Sequence, residues 1–123
     1  MEVKELRIGN IVCYNGEVVK VEQVTKHEIG YHTKPNETRM NYARLCEIEP
    51  IPITDELLLK NGFEQCDYMF KTLFIEMYEV GNGWHLHIDN DKFETAIALT
   101  IKYLHQMQNA YYLVAGKELE IKV

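Results

Sequence analysis

Two consecutive residues, Asn15-Gly16, constrain this chain more than any others, because they separate two short runs rich in Val and Ile. Asn-Gly is the pair best able to hold both central turn residues at positive φ, the backbone that closes a right-twisted two-residue hairpin. The runs 10–14 and 17–24 therefore read as antiparallel neighbours. In the second, Val19, Val21 and Gln23 face one way, and Val18, Lys20, Glu22 and Val24 the other. Gly9 reads as a further turn residue. Further strands are expected over 28–33, over 39–42 after the polar turn 34–38, and over 45–48. Short strands joined by tight turns in this number predict a small SH3-like β-barrel over residues 1–49.

The character of the chain changes at 49–53, where Pro50 and Pro52 each push the preceding residue into extended backbone. Thr54 then caps a short helix over 55–60, with Asp55 and Glu56 at the positive end of its dipole. Ile53 and Leu58 stand at the positions of a hydrophobic staple, and Asn61-Gly62 supplies the stop. From 68 to 99 the period returns to two. Leu73, Ile75 and Met77 alternate with Phe74, Glu76 and Tyr78; Trp84, Leu86 and Ile88 alternate with His85 and His87. Phe93, Thr95, Ile97 and Leu99 alternate with Glu94, Ala96 and Ala98. This predicts an antiparallel β-meander with one apolar face. Over 101–115 the spacing becomes helical, with Leu104, Met107, Tyr111 and Ala115 on one face and Gly116 as the stop. A final strand is expected over 118–123. The class expected is α+β: an SH3-like barrel over 1–49, then an α+β subdomain over 50–123 in which the meander packs on the C-terminal α-helix.

Charge limits the partners. The 123 residues carry a net charge of −6, shared as −1 over 1–49 (seven Lys/Arg, eight Asp/Glu) and −5 over 50–123 (six and eleven). Duplex binding needs clustered cations to neutralise several phosphates, so nucleic acid is not expected as a partner. No apolar run approaches the ~20 residues of a membrane-spanning helix, and the start has no secretory pattern. Three widely spaced cysteines without a CxxC point to reduced thiols and a cytoplasmic location. Cys13 and Cys46 lie in apolar runs and read as buried and inert, whereas Cys66 lies in a polar turn.

The residues offer little for catalysis. His85-Leu86-His87 places two imidazoles on one strand face, and Asp89, Glu76 or His105 could complete a zinc site. A bare HxH more often lies on a half-exposed strand, so no metal is expected. The chain contains no serine, and Cys66, the one candidate nucleophile that His105 could serve, has Asp67 beside it to disfavour the thiolate. No GxxxxGK or GxGxxG is present, which leaves Gly81-Asn82-Gly83 as a turn. Neither enzymatic activity nor a cofactor is expected. The last helical segment is richer. There His105, Gln106, Gln108 and Asn109 offer donors and acceptors at little net charge, and Tyr103, Tyr112 and Leu113 carry apolar surface beyond one packing face. Of these, Tyr103, His105, Gln106, Asn109, Tyr112 and Leu113 are singled out as the candidate binding site.

Three stretches, LRIGNIV…NGEVVKV, EPIPITDELLLKNGFE and IKYLHQMQNAYYLVAGKELEI, span most of the chain in order. They resemble a family of small proteins encoded by phages, prophages and mobile elements of Bacteroides-type bacteria. The resemblance implies a cytoplasmic phage or mobile-element product and transfers no catalytic or ligand-binding residue. The function expected is a non-enzymatic binding module that docks on a host or phage protein, or on a second copy of itself. The alternative is a sponge for a nucleotide-type antiphage defence signal, for which Lys102, Arg39 or Arg44 would supply positive charge.

Overall fold

A computed structural model describes residues 5–72, 75–88 and 98–122. The fold is α+β, mostly antiparallel sheet with a C-terminal helix, and the chain divides into two compact units, 1–51 and 52–123.

In the first unit, β1 (Ile11–Tyr14) and β2 (Glu17–Lys20) form the hairpin, with Asn15 at φ 51° and Gly16 at φ 79°. The expected long second strand divides in two. After Lys20 the chain turns away from β1, and β3 (Gln23–Val24) pairs instead with β4 (Glu28–Tyr31). The crossing is bonded on both sides: Val21 N–H donates to the Asn10 carbonyl at 2.8 Å, and Glu22 N–H to the Gly30 carbonyl at 2.9 Å. β5 (Asn41–Arg44) completes the sheet β3-β4-β5. A 3-10 turn, Leu45–Glu47, then carries the chain back, so that β6 (Ile48–Glu49) pairs with β1 in the sheet β2-β1-β6. Among the described residues no ladder closes these two sheets into a barrel. Val12, Val19, Val21, Ile29, Ala43 and Ile48 form the core, while Val18 on the opposite face of β2 is exposed. Asn10 is fully buried, and its Oδ1 accepts from the Arg7 amide at 2.7 Å, which pins the turn that Gly9 enters at φ 101°. Cys46 corrects an expectation. It is exposed on the 3-10 turn, because the strand expected over 45–48 begins only at Ile48.

In the second unit, α1 (Asp55–Lys60) starts at Thr54, whose Oγ1 accepts from the Leu57 amide at 3.2 Å. The staple pair Ile53 and Leu58 is buried. Five antiparallel strands follow: β7 (Glu64–Cys66), β8 (Met69–Lys71), β9 (Ile75–Val80), β10 (Gly83–Ile88) and β11 (Ala98–Ile101). They lie side by side in chain order, as a meander. The registers Phe70↔Met77↔Leu86 and Trp84↔Ile101 place one apolar set on one face, and all five residues are buried. The alternation expected over 93–97 and at Leu73 and Phe74 falls outside the described residues.

α2 (Leu104–Ala115) begins three residues later than its periodicity predicts, since Ile101 belongs to β11 opposite Trp84. Gly116 ends it at φ 72°, with its amide on the Tyr112 carbonyl at 3.0 Å. No strand forms over 118–122. Instead the Asn61 side chain takes both backbone groups of Lys122, donating from Nδ2 to its carbonyl at 2.9 Å and accepting from its amide. One asparagine thus replaces a strand partner. No helix among the described residues is long and apolar enough to cross a membrane.

Candidate functional site

α2 sorts its residues by angle. Leu104, Met107, Gln108 and Tyr111 recur at helical spacing and are buried, as are His105 and Ala110 beside them. The outward stripe carries Gln106, Asn109 and Leu113, with Tyr112 adjoining it in the last turn. Leu113 is 84% exposed and Tyr112 41%. The αL cap at Gly116 holds that last turn in place, so both side chains are presented from ordered backbone.

The six candidate residues therefore divide. Gln106, Asn109, Tyr112 and Leu113 lie together on the outward stripe. His105 does not, being 2% exposed, with its ring nearly parallel to that of Tyr103 at 6.1 Å. Tyr103 is the N-cap and lines a separate cleft of about 340 Å³ with Pro52, Glu79, Trp84 and Lys102. Gln106 also serves the helix itself: its Oε1 accepts from the backbone amides of Lys102 at 2.9 Å and Tyr103 at 3.0 Å. The polar cluster read along the sequence thus has two buried members, His105 and Gln108, and one, Gln106, that caps.

His85 and His87 lie on the outer face of the meander with ring centroids 6.4 Å apart. Register places Tyr78 opposite His85 and Glu76 opposite His87. The Tyr78 ring lies 5.0 Å from that of His87, and its hydroxyl donates to Glu76 Oε2 at 3.1 Å. Burial, aided by the neighbouring Glu76 carboxylate, raises the Tyr78 phenol above its ordinary value. No group of three His, Cys, Asp or Glu suited to a metal ion occurs among the described residues, and Asp89 lies outside them. Cys66 is exposed on β7 while His105 is buried, so these two are not presented to a common substrate.

One feature of the first unit has no counterpart in the sequence reading. Lys26, His27, Glu28, Arg44, Leu45 and Cys46 line a cleft of about 470 Å³. Its residues come from the β3–β4 turn, the start of β4, the end of β5 and the 3-10 turn, and the pairing of Glu28 with Arg44 brings them together. The available signal was the pair Lys26-His27 in a tight turn, which by itself does not reveal a distant arginine. Of the cations considered for a nucleotide-type ligand, Arg44 lines this cleft and Lys102 the other.

No family model, curated protein or solved structure matches the chain.

Proposed function

We propose that this chain is a non-enzymatic binding module, of phage or mobile-element origin as the resemblance implies, whose last helix docks into an apolar groove of a host or phage protein. The observation that carries this reading is the pairing of Tyr112 and Leu113, 41% and 84% exposed, on the capped last turn of α2. Together with Gln106 and Asn109 they repeat the spacing by which an amphipathic helix anchors in a groove. Amides flanking an apolar anchor suit the rim of such an interface, where hydrogen bonds set register without burying charge. We also read the first unit as an SH3-like small barrel that is open along its ladders. Supporting this are the strand that changes sheets at Val21–Glu22 and the 3-10 turn that returns the chain to β1. A cytoplasmic location belongs to the same reading.

The test compares wild type with Leu113→Lys and Tyr112→Lys in capture from host and phage-infected lysates, followed by reconstitution with the captured protein. Because Leu113 is largely exposed, its substitution should change stability by no more than about 0.5 kcal/mol. Loss of a hot-spot anchor should weaken binding about thirtyfold or more. Capture of the same proteins by all three variants would overturn the proposal. So would a wild-type chain that only self-associates through this stripe.

A further inference from the structure

We infer that the cleft between the β3–β4 turn and the end of β5 is a binding site for a small phosphorylated molecule. The argument begins with charge. Lys26 and Arg44 oppose a single carboxylate, Glu28, so the cleft is net positive in a chain of net charge −6. His27 adds a ring that can donate to an oxyanion. Among the described residues, neither Lys26 nor Arg44 has a side-chain hydrogen bond or ion pair, although Glu28 stands directly opposite Arg44 in the register. The guanidinium fork and the ammonium are thus both open to a ligand, and phosphate is the anion whose geometry the fork matches with two parallel bonds.

The backbone beneath these side chains is already held. Thr25 Oγ1 accepts from the Glu28 amide at 3.2 Å and donates to the Glu28 carbonyl at 3.1 Å. The Thr25 amide reaches that same carbonyl at 2.9 Å. The Leu45 amide donates to the His27 carbonyl at 3.0 Å, which ties the turn to the strand end that carries Arg44. The backbone that carries Lys26 and Arg44 is thus set before binding, so a ligand has only their exposed side chains to order. The buried Leu45 provides an apolar lining, and about 470 Å³ is room for more than a bare ion. The ligand class is therefore a phosphate ester with a compact organic portion, of mononucleotide size. This site is separate from the docking stripe of α2 and stands or falls independently of it.

Cys46 makes the test direct, because its exposed thiol lines the cleft while Cys66 is exposed in the other unit. The rate of Cys46 alkylation is followed by mass spectrometry with inorganic phosphate, AMP or adenosine, each to about 10 mM, a range that reports weak binding. AMP should slow Cys46 about fivefold or more and leave Cys66 unchanged, and Arg44→Gln or Lys26→Gln should weaken that protection about tenfold. Circular dichroism confirms that each variant is folded, and the two substitutions lie on different segments, so one remains informative if the other unfolds. Protection by inorganic phosphate equal to that by AMP would show that the oxyanion alone is bound, overturning the ester assignment. Equal protection by adenosine, no protection by any of the three, or full protection in both variants would overturn the site.

Discussion

One carboxylate oxygen, Oε2 of Glu37, accepts from the Thr33 hydroxyl at 2.6 Å, the Thr33 amide at 3.1 Å and Asn41 Nδ2 at 3.4 Å. Hydrogen bonds to the charged form favour it, so the Thr33 hydroxyl first, and then its amide, hold this carboxyl below its ordinary value of 4.5. A carboxyl depressed in the folded state stabilises that state at pH above its unfolded value. The contribution disappears as the pH falls through the folded value. In a carbon-detected NMR titration Glu37 should protonate below its ordinary value, and protection of the Thr33 amide should vanish over that same acidic interval. A Glu37 midpoint at or above 4.5 would contradict the reading. Tyr31 moves the opposite way: burial first, then the nearby Tyr14, Glu17 and Glu37, raises its phenol.

At the scale of elements, ends are set by single side chains. Thr54→Ala removes the acceptor for the Leu57 amide at the start of α1, and chemical denaturation should show a loss of about 1 kcal/mol. Thr54→Ser, which keeps the oxygen, should recover most of it; equal losses in both would remove the cap from the account. Such local signals were legible in the sequence. Asn15-Gly16, Thr54, Asn61-Gly62 and Gly116 each need only their own backbone to act, and each does so at its expected place. What could not be read depended on a partner elsewhere in the chain. Ile101 fits the helical period of α2 equally well, and only its place opposite Trp84 assigns it to β11. The run 17–24 reads as one strand, yet the Val21 amide bonds to Asn10 beside β1 and the Glu22 amide to Gly30 in β4. His105 lies near the exposed stripe in sequence, but its angle on the helix turns it inward. The cleft of Lys26 and Arg44 was hidden for the same reason, because it exists only once β4 and β5 are in register.

For the molecule as a whole, a surplus of six negative charges makes copies repel one another at neutral pH. Turbidity should therefore pass through a maximum near pH 5.3, where the net charge vanishes, and fall on either side. Added salt should broaden that maximum by screening the repulsion that remains away from it. A flat turbidity curve across that pH would show that charge does not govern association. The β1–β6 pairing has a further consequence, which concerns synthesis. Cys13 and Tyr14 wait for Glu49 and Ile48, so one margin of the first hairpin stays bare until nearly the whole first unit has left the ribosome. Premature termination before that point releases a chain with an open strand edge, which is prone to aggregate rather than to fold.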